Sequence, residues 1–225
     1  LNRVLRHNLR NGLNVVAGRA DGLLTALDAD GELPADLART DLDAIVSAAE
    51  ELLDVAERAR RFDNLYRQIR DSQPVEIRPL LDAIVSEYRD ATPRATIRVE
   101  GAAPVVLVNR RAVRVAVEEL VDNAIEHSSD GAPTVTVRAE ERADGSLEIA
   151  VADRGDGIPE MEREVIVEGE ERPLKHGSGL GLWLVKWLVT AMGGTIDIED
   201  GEQYGTVVSL EFPASRWRPG EGDAT

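Results

Sequence analysis

Two heptad patterns occupy the first third of the chain. Apolar residues recur at steps of three and four within residues 1–28, and the pattern resumes after the polar break DADGELP at residues 28–34. The first run is Leu9, Leu13, Val16, Ala20, Leu23 and Leu27, and the second is Leu42, Ile45, Ala49, Leu52, Ala56 and Ala59. This spacing predicts two helices in an antiparallel hairpin. Since a lone hairpin cannot bury both apolar faces, we expect a homodimer that forms a four-helix bundle.

A mixed pattern of helices and strands follows. Two prolines in DSQPVEIRP, residues 71–79, interrupt the helical pattern, so we place a domain boundary at 72/73. The predicted helices are Leu80–Arg89, Arg110–Ser128 and a third that follows the glycines at 177, 179 and 181. The predicted strands are Ala95–Glu100, Val105–Val108, Thr134–Ala139, Leu147–Ala152, Thr195–Glu199 and Thr206–Phe212. Helices between antiparallel strands indicate an α+β fold: a hairpin at 1–72, an α/β sandwich at 73–214 and a tail at 215–225.

The composition is acidic and almost free of lysine. The 225 residues carry 42 acidic and 26 basic side chains, which gives a net charge of −16, and the two lysines are Lys175 and Lys186. This charge argues against a nucleic-acid partner. It is similar to that of haloarchaeal proteins, in which salt screens the repulsion between acids, so we expect folding and dimerisation to strengthen with salt.

The sequence contains no cysteine, which excludes disulfides and thiol chemistry. No apolar run approaches the roughly 18 residues of a membrane helix, so we expect no membrane contact within this segment and a cytoplasmic location. The start at Leu1 instead of Met suggests a fragment of a longer protein.

A glycine-rich stretch, HGSGLGLWLVKWLV at residues 176–189, leads into an apolar helical pattern. Glycine lets the backbone approach a ligand closely, and a helix N-terminus attracts phosphate through its unpaired N–H groups. The spacing fits neither the phosphate loop that ends in Gly-Lys-Ser/Thr nor the dinucleotide fingerprint. Taken alone, the stretch is also compatible with a flexible loop before a core helix.

Two further motifs precede it. In EELVDNAIEHS, residues 118–128, a helical repeat of four places Glu119, Asn123 and His127 on one face. In DRGDGIP, residues 153–159, an acid at a strand end is followed by Gly155 and Gly157. Asp153 can accept a hydrogen bond from an exocyclic amine, and the glycines leave room for a flat ring.

The ordered set ELVDNA, DRGDGIP and GSGLGL resembles the N, G1 and G2 boxes of the Bergerat-type ATPase fold, and the resemblance covers about residues 75–213. It implies ATP and Mg²⁺ as cofactors, with Asn123 as the metal ligand and an ATP lid at 154–178. It also implies adenine contacts at Asp153, Gly155 and Gly157. The remaining ATP-binding residues that it implies are His127, Lys175, Gly177, Gly179, Leu180, Gly181 and Thr206.

The position of His7 before these ATPase motifs indicates a function for this histidine. It lies in LRHNLRNG, residues 5–12, at heptad position b on the outer flank of the predicted hairpin. A histidine there, directly before a Bergerat-type ATPase, resembles the phospho-accepting histidine of sensor histidine kinases. The residue that follows is usually acidic, whereas Asn8 can orient the imidazole but cannot act as a base. Asn11, one turn later, stands where this family orients water for phosphatase activity.

The resemblance implies an ATP-dependent autokinase that phosphorylates His7 and transfers the phosphoryl group to the receiver domain of a response regulator. The sequence is compatible with several roles for the Glu119 side chain. Kinases commonly carry asparagine there, whereas gyrases use a glutamate as general base; Glu119 could also polarise His7, hold a metal-bound water or be an exposed helix acid. The alternative functions are a gyrase- or mismatch-repair-type ATPase clamp and a nucleotide-binding module without kinase activity, which Asn8 would favour.

Overall fold

The computed structural model describes residues 2–28, 34–66, 69, 71–102, 104–128, 131–155, 157–158, 163, 166, 179–201 and 205–213. Contacts divide the chain into two compact units between Asn64 and Leu65, earlier than the predicted boundary at 72/73. The assignment of 1–72 to phosphotransfer and 73–214 to ATP binding stays a prediction. The predicted tail lies outside the described residues.

The first unit contains helix α1 (Asn2–Asp28) and all but the last two residues of helix α2 (Ala35–Tyr66), which confirms both predicted helices. Arg19 on α1 forms an ion pair with Asp41 on α2, with 2.6 Å between Nη1 and Oδ1. Gly12 lies directly against Leu52, since a Cβ added at Gly12 would stand 2.8 Å from Leu52 Cδ2. The two helices therefore pack side by side.

The predicted apolar seam of α1 proves to be two neighbouring faces. Leu9, Val16 and Leu23 are partly buried, whereas Leu13 and Leu27 are exposed. On α2, Leu42, Val46 and Leu53 are exposed as well. One face of each helix is thus covered by its neighbour in the hairpin, and a second apolar face remains open.

The second unit contains helices α3 (Ile77–Ala91), α4 (Arg110–Glu126) and α5 (Gly179–Ala191). Its strands are β1 (Gln73–Glu76), β2 (Thr96–Glu100), β3 (Val105–Val108), β4 (Thr134–Glu141), β5 (Leu147–Asp153), β6 (Thr195–Glu199) and β7 (Thr206–Phe212). Five strands form one sheet in the order β2-β4-β5-β7-β6, and β1 pairs with β3 in a small antiparallel sheet. This mixture of helices and sheet confirms the predicted α+β fold.

Three details differ from the sequence prediction. Strand β1 was not predicted, because Pro74 lies in the segment that was assigned to the domain boundary. Helix α3 begins at Ile77 and not at Leu80, since Pro79 lies in the first turn, where a missing N–H costs no hydrogen bond. Strand β2 runs parallel to β4, whereas only antiparallel strands were expected.

The core lies between the five-stranded sheet and the three helices, which pack against one face of it. Alternate strand residues point toward the helices and have little or no exposed surface: Val135, Val137, Ile149, Val151, Leu210 and Phe212. The residues between them point to the opposite face, which no described helix covers. Within the described ranges, no helix is both long enough and apolar enough to span a membrane.

Candidate active site

Helix α4 presents three of the predicted site residues. It begins at the N-cap Asn109, whose side-chain Oδ1 accepts a hydrogen bond from Ala112 N–H at 2.9 Å. A buried apolar stripe holds it against the sheet and α5: Ala112, Val113, Ala116, Val117, Leu120, Val121 and Ala124. Beside this stripe the site face runs from buried Glu119 through half-buried Asn123 to exposed His127 at the C-cap.

Glu119 is 5% exposed, which excludes the alternative of a solvated helix acid. Its negative charge acts on Tyr88 of α3, whose pKa lies above its ordinary value. Burial is the main cause of that increase, and the hydrogen bond to Asp122 adds to it. The Glu119 carboxylate is therefore buried on α4, where its charge is weakly screened by solvent.

Tyr88 joins helix α3 to helix α4. Its hydroxyl donates to Asp122 Oδ1 at 2.7 Å and to the Glu118 carbonyl at 3.2 Å. Asp122 and Glu118 flank Glu119 and Asn123 in sequence, so the tyrosine fixes the turn that carries the candidate catalytic residues. Sequence reasoning did not single out Tyr88, because a contact across 34 residues has no local signal.

Asp153 ends strand β5 at the C-terminal side of α4. Its carboxylate Oδ1 accepts from Gly155 N–H at 2.7 Å, and the Thr206 backbone N–H also donates to it. Burial raises the pKa of Asp153, although these two hydrogen bonds and the nearby His127 oppose that increase. The result is an oriented, half-buried acceptor with limited access to solvent.

Backbones approach very closely around Asp153. A Cβ at Gly155 would lie 2.6 Å from the His127 carbonyl oxygen, and one at Gly205 would lie 2.0 Å from the Gly155 carbonyl oxygen. Gly157 has a φ of +85°, a conformation that side chains rarely allow. Glycine is therefore required for the end of α4, the end of β5 and the start of β7 to meet, and together they form a surface without side chains next to the Asp153 carboxylate.

The structure thus brings together five of the predicted site residues: His127, Asp153, Gly155, Gly157 and Thr206. Asn123 lies one helical turn before His127, whose backbone N–H donates to the Asn123 carbonyl at 3.0 Å. Gly179, Leu180 and Gly181 form the first turn of α5, which packs beside α4. Their roles in binding stay predictions.

Other predicted residues are described in part or not at all. Lys175, Gly177 and most of the predicted lid lie outside the described residues. His7 and Asn8 lie in α1, but their side chains are also outside that description, whereas Asn11 is exposed on the same helix.

Two described residues of the predicted lid region are attached to the rest of the second unit. Lys186 of α5 donates to the Ile166 carbonyl, and burial lowers the pKa of this lysine. Ile166 is fully buried, and Arg163 forms an ion pair with Asp200. Residues 163 and 166 therefore connect this region to α5 and to the end of β6.

The neutral side chain of Asn123 has the chemistry to coordinate a hard cation. Among the described residues, no three His, Cys, Asp or Glu side chains are grouped so that they could hold a metal ion. The half-buried Asn123 offers a neutral carbonyl oxygen. Such a donor fits Mg²⁺ that is mainly coordinated by phosphates and water.

The comparisons with known proteins agree with this geometry. Residues 108–216 match the family described as histidine kinase-, DNA gyrase B-, and HSP90-like ATPases. The chain is 32% identical over 220 residues to the sensor-type histidine kinase PrrB of Mycobacterium leprae, covering 94% of this chain and 47% of PrrB. It therefore spans about half the length of the curated relatives it matches.

Solved structures show the same fold. The ATP-binding domain of PrrB from Mycobacterium tuberculosis superposes with a TM-score of 0.52 and 28% identity, covering 64% of this chain and 98% of that one. The histidine kinase AdeS of Acinetobacter baumannii gives a TM-score of 0.59 over 92% of this chain and 98% of its own, at 19% identity, and so shows the fold alone. Residues 108–216 thus form an ATPase domain of the histidine kinase type, and the chain as a whole is similar to sensor histidine kinases.

Proposed function

We propose that this chain is the transmitter part of a two-component system, an ATP-dependent autokinase that phosphorylates His7 and passes the phosphoryl group to an aspartate of a response-regulator receiver domain. The observation that carries the proposal is the oriented Asp153 carboxylate beside a glycine surface, in a chain that also carries a histidine on a helical hairpin. The similarity to PrrB over 94% of the chain supports the joint presence of both parts.

In this proposal, Asp153 accepts a hydrogen bond from the adenine amine while Gly155, Gly157 and Gly205 let the flat base approach the backbone. The first turn of α5 then offers N–H groups to the phosphates, together with Lys175 and Gly177. Asn123 holds Mg²⁺, which when bound neutralises phosphate charge. Catalysis therefore depends mainly on positioning and electrostatic stabilisation.

A nitrogen of His7 attacks the γ-phosphorus, the bond from that phosphorus to the bridging oxygen breaks, and ADP leaves. The imidazole gives up its ring proton to a solvent water molecule in the same step. Asn8 cannot accept that proton but can orient the imidazole, and the buried carboxylate of Glu119 contributes only through its weakly screened negative charge. Asn11 lies one helical turn from His7 and would orient water during removal of phosphate from the regulator.

The open apolar faces of the hairpin support a homodimer. On α1 the exposed Leu13 and Leu27 are two heptads apart with Leu24 three residues before Leu27, and on α2 the exposed Leu42, Val46 and Leu53 follow steps of four and seven. Apolar side chains at this spacing are typical of a helix–helix seam, so a second hairpin would complete a four-helix bundle.

ATP labelled at the γ-phosphate tests the proposal. A kinase leaves acid-labile label on the protein, an ATPase clamp releases labelled phosphate, and a binding module does neither. His7→Gln should bind ATP with unchanged affinity and take up no label, whereas Asn123→Asp should lose both binding and labelling, because a charged oxygen disturbs a site matched to a neutral donor.

Acid-labile labelling of His7→Gln at the wild-type level would contradict the assignment of the acceptor and move it to His127 or His176. Mixing the two variants adds a further measurement. Label on the Asn123→Asp chain of a mixed dimer indicates transfer between subunits, and no label indicates transfer within one.

A further inference from the structure

The open face of the five-stranded sheet contains a trough. Its floor consists of small side chains on the two central strands, Ala150, Ala152, Val207 and Ser209. Longer side chains of the flanking strands border it on both sides, and the enclosed space is about 350 Å³. Although no described helix covers this face, Ala150 and Ala152 are less than a tenth exposed, so the floor is a sheltered apolar surface.

The border of the trough is acidic. Five carboxylates and two arginines line it, a net charge of −3: Glu100, Glu148, Asp197, Glu199 and Glu211 against Arg138 and Arg142. Both arginines are already paired, Arg138 with Glu140 and Arg142 with Glu148. Asp197 and Glu199 on β6 form no ion pair with another described residue. The trough therefore suits a ligand with an apolar centre flanked by positive charge.

The chain itself carries such a segment next to this face. After Pro213 the sequence continues Ala-Ser-Arg216-Trp217-Arg218-Pro, in which an indole stands between two arginines. Strand β7 forms part of the floor and ends at Phe212, so the tail leaves from one end of the trough. Four residues from Pro213 to Trp217 span at most about 14 Å, comparable with the length of β7 from Glu211 back to Val207.

We propose that the C-terminal tail, residues 214–225, folds back across the open sheet face and docks Trp217 in this trough. The indole covers Ala150, Ala152 and Ser209, because aromatic side chains gain most from burying roughly 150–250 Å² of surface. Arg216 and Arg218 pair with the bordering carboxylates, Asp197 and Glu199 among them. The tail would thus cover a sheet face that the helices of the described residues leave open, and this role is independent of phosphoryl transfer.

The absence of cysteine from the sequence allows a direct test. Ser209→Cys places a single thiol on the trough floor, and its rate of alkylation by a maleimide is compared in the full chain and in a chain that ends at Pro213. A trough that is covered nine-tenths of the time slows labelling about tenfold in the full chain. Ser86→Cys on the exposed side of α3 is the matched control, and its rate should not depend on the tail.

Two full-length variants keep the test valid if truncation disturbs folding. Trp217→Ala, or Arg216→Glu combined with Arg218→Glu, should raise the labelling rate of Ser209→Cys to that of the truncated chain. Equal labelling rates with and without the tail overturn the proposal. So does protection of the truncated Ser209→Cys chain by added wild-type chain, because the tail would then bind a second copy.

Discussion

The helical hairpin and the ATPase domain bury their apolar residues to very different extents. In the hairpin, Leu24 is 60% and Leu53 65% exposed, whereas Ile149 and Leu210 in the ATPase domain have no exposed surface. The glycines differ in the same way: a Cβ added at Gly18 or Gly22 of α1 would meet nothing within 4 Å beyond the neighbouring backbone of its own helix, whereas one at Gly155 or Gly205 would meet backbone atoms of another segment. The ATPase domain therefore contains its own core, while the hairpin needs a second apolar surface to complete one.

The largest expected effect follows from the open hairpin face. Leu24→Glu should convert the proposed dimer to a monomer and abolish any separate melting transition of the hairpin, because each buried leucine contributes about 1.5–3 kcal/mol and the dimer would contain two copies. Sedimentation velocity and calorimetry measure both changes. Thr25→Glu adds the same charge on a neighbouring exposed position and should leave the dimer intact; equal dissociation by both variants would show that charge alone, and not loss of the seam, is responsible.

The contrast between glycines gives the next effect. Gly205→Ala should destabilise the ATPase domain by roughly 3 kcal/mol, since its methyl would stand 2.0 Å from a backbone oxygen. Gly22→Ala should instead stabilise the hairpin by about 0.5–1 kcal/mol, because alanine favours a helix interior that has room for it. Denaturant unfolding measures both, and a stabilised Gly205→Ala protein would contradict the described contact.

Asp153→Asn should weaken ATP binding about tenfold or more by removing a charge-assisted hydrogen bond. The same substitution should stabilise the folded state at neutral pH, although it weakens binding. Burial raises the folded-state pKa of Asp153 above its ordinary 3.8, so its contribution to stability is present below that pH and is lost as the pH rises through the raised pKa. At pH 7 the asparagine variant should therefore melt at a higher temperature than the wild type.

Asp144→Asn is the matched control for the sign of this effect. Hydrogen bonds from the Ser146 hydroxyl and backbone N–H lower the pKa of Asp144, so this carboxylate contributes stability above its ordinary pKa that is lost as the pH falls. The variant should be slightly less stable at pH 7 and should bind ATP normally. Shifts of the same sign in both variants would contradict the described environments.

The smallest effect concerns charge in the hairpin. Arg19→Gln should cost about 0.5 kcal/mol at low salt, since Arg19 is mostly exposed in its pair with Asp41, and nothing measurable in molar salt. The wild-type melting temperature should still rise with salt, because screening relieves the repulsion that accompanies a net charge of −16. Equal wild-type melting temperatures at both salt concentrations would contradict that interpretation of the acidic composition.

The sequence alone predicted most elements, because their apolar periodicity is local. Strands β3, β6 and β7 begin and end at the predicted residues, and α4 differs by two residues at one end. Strand β1 was missed since four residues with a proline carry no alternating pattern. The parallel pairing of β2 with β4 was missed because alternation reports which face a residue occupies and not the direction of its strand.

The sequence also predicted some features of the candidate site and missed others. The motifs identified Asp153, Gly155 and Asn123, whose residue types and spacing carry the information. They did not reveal the burial of Glu119, since the same residue type at the same helical spacing fits an exposed face equally well. Nor did they indicate the Tyr88–Asp122 hydrogen bond, which depends on how α3 packs against α4.

The contact between the backbones at Gly155 and Gly205 has a genetic consequence. No residue is smaller than glycine, so a methyl group introduced at position 205 cannot be accommodated by shrinking its neighbour at 155. A genetic selection for restored function of the Gly205→Ala protein should return reversions of codon 205 and few intragenic suppressors. Single substitutions at codon 155 or codon 205 should therefore be removed by selection, so both positions should stay glycine.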